Sequence, residues 1–216
     1  MQLTGEVLLK MFGRFNTAIW PMQVVAYILV VAALFLAAKR TKYSDQIIAA
    51  ILAAFWLWNG VKFWLPAGPS FPPAWAFAAL WILQGLAFLV GIVKPSVSYR
   101  MGSDAYSLVG IALIVYAAIG YPLFGYLVGH IYPRVAIVGV IPCPTVILTF
   151  GLLLCTDTKV LKALLVIPLL WGLLSLAWIT LGIVEDIGLI VGALLATALI
   201  VYRDRRVRLV NAQQAA

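Results

Sequence analysis

Charge is the scarcest commodity in this chain. Only 10% of its 216 residues are Asp, Glu, Lys or Arg, where a soluble domain carries about a quarter. So little charge cannot clothe a water-facing surface. With 65% apolar residues and a mean hydropathy of +1.09, the solvent of this chain is expected to be largely lipid. Histidine is scarcer still, His130 being the only one. That excludes the multi-histidine zinc sites of several seven-span membrane hydrolases and a paired-histidine haem. The two cysteines, Cys143 and Cys155, lie twelve residues apart on one apolar segment. That spacing is about 18 Å of helix, beyond the roughly 7 Å over which a disulfide closes. No P-loop, dinucleotide fingerprint or serine-nucleophile elbow is present. The net charge is +8, yet the basic residues sit between apolar runs and form no stripe interleaved with aromatics. No nucleic-acid partner is expected.

What is present is a series of apolar runs, at Met22–Ala38, Gln46–Leu65, Ala74–Val93, Ala105–Gly129, Thr145–Thr156, Val160–Leu181 and Ile187–Tyr202. Most approach the ~20 residues that a helix needs to cross a bilayer. The expected fold class is all-α, a single-domain polytopic membrane helix bundle of about seven spans. Prolines and glycines punctuate the turns, as at Pro66, Gly68, Pro69, Pro72 and Pro73. Positive charge sets the orientation. Lys39, Arg40, Lys42, Lys94, Arg100, Lys159, Lys162, Arg203, Arg205, Arg206 and Arg208 fall on one side. Lys10, Arg14, Lys62 and Arg134 fall on the other. The carboxyl terminus, a basic tail over residues 203–216, is therefore expected in the cytoplasm and the amino terminus outside.

Residues 1–20 do not read as a cleaved signal, because Lys39 and Arg40 follow the first apolar core instead of preceding it. Val7, Leu8, Met11, Phe15 and Ile19 share one face there, with Glu6, Lys10, Arg14 and Thr17 opposite. The pattern predicts an amphipathic helix in the outer interface, turned into the first span at Trp20-Pro21.

The fifth run is too short. Thr145 to Thr156 is twelve residues, about 18 Å of helix. Pro142 and Pro144 flank Cys143 and forbid a continuous helix through that point. A helix starting near Thr145, with Thr145 as its N-cap, would begin at membrane depth. Non-helical backbone there survives only if buried in protein or lining a wet cavity. Two readings stay open: a half-helix below an irregular, cavity-lining stretch at 131–144, or a kinked full span with Val135–Ile141 as its outer half. The wet reading expects Cys143 to be reachable from outside and activated by the helix amino terminus.

Sorted by side, the unusual polar residues gather on the outer one. Lys62, His130, Arg134, Cys143, Thr145, Glu185, Asp186, Asn16, Trp20, Gln23 and Asn59 form the candidate pocket. Each has a blander reading: a snorkelling lysine, a loop histidine, an inert buried thiol, acids at a helix start. Together they concentrate ionisable groups where a bilayer makes them costly. Were a metal bound, its ligands would be His130, Cys143 and Glu185, although their spacing matches no ligand motif. No catalytic residue is assigned and the cofactor is unknown. Trp20, Trp64 and Trp75 read as interfacial anchors, while Trp56, Trp81 and Trp171 lie too deep for a belt. Gly125-x-x-x-Gly129 and Gly188-x-x-x-Gly192 with Ala196 are small-residue stripes that suit either internal packing or a homodimer.

The segments Asn16-x-x-x-Trp20-Pro21-x-Gln23, Trp56-x-Trp58-Asn59-Gly60, Gly129-His130-x-Tyr132-Pro133, Pro142-Cys143-Pro144-Thr145 with Phe150-Gly151, Pro168-x-x-Trp171 and Glu185-Asp186 resemble a family of uncharacterised bacterial multi-pass membrane proteins, domain of unknown function 6064. The resemblance spans nearly the whole chain and implies a bacterial inner (plasma) membrane. It implies no activity, though some members carry permease-like names. The leading expectation is a small permease or transport-related protein with an outer polar pocket for a small solute or ion. The alternatives are a non-catalytic subunit or sensor docking a membrane partner, and a membrane-embedded enzyme or metal/redox protein.

Overall fold

The computed structural model describes residues 4–214, with side chains described up to Arg206. The Arg208 side chain and the last two residues of the tail lie outside the described residues. The described residues are helical, with a single isolated bridge between Tyr99 and Thr156 and no strand. In order the helices are α1 (Gly5–Ala18), α2 (Met22–Ala38), α3 (Ser44–Trp58), α4 (Pro73–Val93), α5 (Ala105–Val115), α6 (Tyr121–Leu127), α7 (Pro142–Leu154), α8 (Ala163–Thr180) and α9 (Ile187–Gln214). A π-turn over Asn59–Trp64 extends α3, and another over Tyr116–Gly120 joins α5 to α6.

Five helices are long and apolar enough to cross a membrane: Ser44–Ala67, Pro73–Val93, Ala105–Leu127, Ala163–Thr180 and Val184–Arg206. A sixth exists if α1 and α2, bent by 88°, count as one span. The seventh expected from sequence falls short for a simple reason. α7 has 13 residues, about 20 Å of helix. Large apolar side chains such as Ile28, Val31, Phe35, Val90 and Val191 cover the outside of the bundle, which suits insertion in lipid.

α7 is the core of the molecule. Every one of its residues is buried, and it is wrapped by α3, α5, α8 and α9. Its start corrects the sequence reading. The helix begins at Pro142, with Ile141 as N-cap, so Thr145 lies in the first turn and not at the cap. Both prolines fit because the first-turn N–H groups have no intrahelical acceptor anyway. Thr145 serves differently: its hydroxyl accepts from Gly139 N at 2.9 Å and donates to Ile141 O at 2.7 Å.

The stretch before α7 is not an outer half-helix. Residues 135–141 are non-helical and buried in protein, and neighbouring side chains take up their backbone groups. Asn16 donates to Pro133 O at 2.7 Å and Val135 O at 2.8 Å, and Asn59 donates to Gly139 O at 3.2 Å. Gln23 in turn donates to Asn16 O at 2.6 Å. Irregular backbone in an apolar setting requires such partners. Gly139, at φ +82°, supplies a turn that other residues rarely adopt.

Two helix-interior prolines follow the same logic. Proline removes an N–H, so the carbonyl four residues earlier loses its partner. Tyr27 donates to Ala118 O, four before Pro122, at 2.8 Å. Gln84 donates to Leu164 O, four before Pro168, at 3.3 Å.

The loops gather at two ends. At one, Arg40 pairs with Asp45 and Asp157, and Arg203 caps the carboxyl end of α7 by donating to Leu154 O and Thr156 O at 3.1 and 3.0 Å. At the other, α1 lies beside Pro133 and Arg134 and, through Leu8 and Phe12, beside Ile183 and Asp186. Its buried positions are Leu8, Phe12, Gly13 and Asn16, so of the apolar face expected at Val7, Leu8, Met11, Phe15 and Ile19 only Leu8 is fully buried, and the inward face is rotated toward Phe12.

Candidate functional site

The site lies at the α1 end, where α7 and α9 both begin. Cys143, the second residue of α7, donates its thiol hydrogen to Asp186 Oδ2 at 3.3 Å, and the Tyr121 hydroxyl donates to Oδ1. Asp186 immediately precedes α9, so the positive ends of two helix dipoles meet at one carboxyl group. Beside it, Glu185 Oε1 is 2.9 Å from His130 Nδ1, and the Glu185 backbone carbonyl accepts from the Tyr116 hydroxyl at 2.8 Å. Asp186 and Glu185 are 0% and 1% exposed. The His130 side chain, at 11%, is the cluster's edge toward the surface. Glu185 Oε2 has no hydrogen-bond partner among the described residues.

Local sequence explains the geometry. The π-turn at Tyr116–Gly120, bonded i to i+5, brings residues five apart toward one face. Tyr116 and Tyr121 therefore both reach the acid pair, with ring centroids 6.1 Å apart. Gly125 makes room for Glu185, since a Cβ there would stand 3.1 Å from Oε1. Of the small-residue stripes, Gly188 faces Tyr116, Gly192 faces Leu113 of α5 and Ala196 is fully buried, whereas Gly129 is exposed with nothing within 4 Å of a Cβ.

A small cavity with about 10 Å³ of free space borders Asp186 and Cys143, the room of roughly one water. Its other walls are aromatic. Trp64, Trp171 and Trp178 pack edge-on, stacked or tilted at centroid separations of 5.4–6.4 Å, and Leu8 and Phe12 of α1 close the top. The indole N–H groups of these three tryptophans have no acceptor among the described residues. The deep tryptophans continue the wall, with Trp81 stacked on Trp56 at 4.1 Å and edge-on to Trp171 at 5.2 Å. Trp64, expected at the interface, is instead 3% exposed, whereas Trp20 and Trp75 are 63% and 50% exposed.

The eleven residues picked from sequence separate into three groups. His130, Cys143, Glu185 and Asp186 come together. Asn16, Gln23, Asn59 and Thr145 brace the irregular backbone around them. Lys62, Arg134 and Trp20 stand apart on the exterior, Arg134 pairing with Glu6 at 3.4 Å. The expected water-reachable Cys143 is not found, because it is 5% exposed and faces a carboxyl group, not a cation. The three conditional metal ligands do not converge. His130 and Glu185 meet but Cys143 turns to Asp186, and no group of three or more His, Cys, Asp and Glu among the described residues is arranged to hold a metal. Tyr116, Tyr121 and Phe12 were missed. Two tyrosines five apart ahead of a proline were the available signal for the first two.

Residues 5–211 match the family of unknown function DUF6064. The chain belongs to that family. No curated protein and no solved structure matches it. Membership in DUF6064 agrees with the resemblance read from the Pro-Cys-Pro-Thr and Glu-Asp segments, and the structure places both segments in the one cluster.

Proposed function

We propose that this DUF6064 protein is an integral protein of a bacterial inner membrane, amino terminus outside, that couples a proton to the movement of a small solute or ion. The acid pair is the protonation site. The observation that carries this reading is the pairing of two adjacent buried carboxyl groups with a single imidazole and, among the described residues, no lysine or arginine. Such a cluster has a charge set by the number of protons it holds, and ionisable groups of this kind in a bilayer mark proton relays and ion pathways. His130 lies between the surface and Glu185, and Asp186 with Cys143 lies at the tryptophan-lined cavity. Proton occupancy at Asp186 would change its hold on Tyr121 and Cys143, and so the packing of α7 against α6 and α9.

Infrared difference spectra between acid and neutral buffer test the protonation step. A protonated-carboxyl band that disappears in Asp186→Asn supports it, and identical spectra in the two proteins refute it. Proteoliposomes holding a pH dye test coupling. Wild type should pass protons faster than empty liposomes when its solute is supplied, with Asp186→Asn at the empty-liposome rate. A second reading, a sensor or non-catalytic subunit, is favoured by the size of the cavity, which holds one water and no solute. The carboxyl band without any flux across a solute panel would select it.

A further inference from the structure

The few cations of the α1 end share one surface. Lys10, Arg14, Lys62 and Arg134 are all exposed, and the only exposed acid near them among the described residues is Glu6, which pairs with Lys10 at 3.3 Å and Arg134 at 3.4 Å. Arg14 and Lys62 have no carboxylate partner among the described residues. Between α1 and the α3–α4 connection runs a groove of about 540 Å³, with Lys10, Arg14 and Lys62 along it. Its floor is apolar, made by Val7, Met11, Phe15, Phe63 and Phe71. A groove that is basic along its rim and aliphatic and aromatic in its bed matches a molecule with an anionic head and a hydrocarbon tail.

We propose that this groove binds an anionic phospholipid, with its phosphate among Lys10, Arg14 and Lys62 and one acyl chain on the Phe15–Phe71 floor. Charge complementarity selects the headgroup: Arg14 and Lys62 meet one phosphate with no carboxylate partner among the described residues, and Lys10, shared with Glu6, adds a third cation. An amphipathic helix lying across the bundle end, 88° from α2, is placed at the level where headgroups meet chains. Clustered basic residues at that level recognise acidic lipids. Because α1 also carries Leu8 and Phe12 over the Asp186 cavity, a bound lipid would hold that cover in place. The proposal does not depend on proton coupling.

The test uses the full chain in mild detergent, given equal amounts of phosphatidylglycerol and phosphatidylcholine of the same chain length. Native mass spectrometry then counts the lipid retained. Wild type should keep one phosphatidylglycerol in preference, and Arg14→Gln with Lys62→Gln should lower that preference about tenfold. Both side chains are exposed, so folding is checked by an unchanged elution volume. Lys42→Gln with Lys94→Gln, at the opposite end, should leave the preference intact. Equal retention of the two lipids by wild type would overturn the proposal, as would an unaltered preference in the Arg14/Lys62 variant. Displacement of the lipid by inorganic phosphate at low ionic strength would also overturn it, by showing that the acyl chain contributes nothing.

Discussion

The two ends of the bundle use polar residues in opposite ways. At the Arg203 end, acids and bases meet as ordinary pairs and caps. Asp104 caps α5, Asp45 accepts from Tyr99 N at 2.8 Å, and Arg203 covers the last carbonyls of α7. At the Asp186 end, buried acids meet hydroxyl, thiol and imidazole groups, Glu185 Oε2 goes unpartnered, and the cations lie outside. A fold that pairs the charges of one end so widely shows that the other is not short of means. Acids arranged for stability are paired with lysine or arginine; acids held at 0–1% exposure with neither beside them among the described residues point to function.

Packing between α5 and α7 should give the largest effect and would break the comparison if it did not. Gly110 touches Gly151, and a Cβ at Gly110 would stand 2.7 Å from both Gly151 O and Cys155 Sγ. Gly110→Leu should cost about 3 kcal/mol or prevent folding, read by thermal unfolding in detergent. A normal melting temperature would show that α7 is less rigidly held than its burial implies.

The contrast between ends is sharpest in one pair of variants. Arg203→Ala should destabilise by about 2 kcal/mol, since it leaves the Leu154 and Thr156 carbonyls without donors. Lysine should not rescue it, because the planar fork serves several acceptors at once. Asp186→Asn should stay within about 1 kcal/mol of wild type while losing the carboxyl infrared signal. If Asp186→Asn instead proves the less stable of the two, the acid is a structural anchor and the division between ends fails.

The proline repairs are smaller and lie on both sides of α7. Tyr27→Phe and Gln84→Leu each remove the one donor given to a freed carbonyl and should cost about 1 kcal/mol. Additive losses in the double variant, measured by the same unfolding curves, would confirm that the two repairs are independent.

The smallest effect is the cap at Asp104. Its slight burial works to raise the pKa, but hydrogen bonds from the Ser107 hydroxyl and from the Ser107 and Tyr106 N–H groups outweigh it and hold the carboxyl below its ordinary value. A group depressed in this way stabilises above the unfolded pKa, near 3.9, and the benefit is lost as pH falls through the lower folded value. Asp104→Ala should therefore cost about 0.5 kcal/mol at neutral pH. The gap should narrow in strong acid; a gap independent of pH would assign the loss to helix propensity.

Much of the frame was legible in the sequence. Length of apolar run decides whether a helix can span, and the runs after Gln46, Ala74, Ala105 and Val160 appear as helices within a few residues. The broken fifth run was legible because proline constrains its own neighbours, whatever the tertiary setting. His130, Cys143, Glu185 and Asp186 stood out because ionisable groups are rare here. Their partners did not. Tyr121 reaches Asp186 only through a π-turn, and no periodicity rule places residues five apart together in an α-helix. Trp64 looked interfacial from its position in the run, yet packing against Trp171 and Trp178 buried it. Lys62 shared an end with the acids but not a face, because sidedness along a helix axis says nothing about rotation around it. Composition and proline placement thus determined by themselves an all-helical, lipid-suited chain with an interrupted fifth segment. Which polar groups meet was decided only by tertiary structure, since it depends on helix rotation and on contacts between residues far apart in the chain.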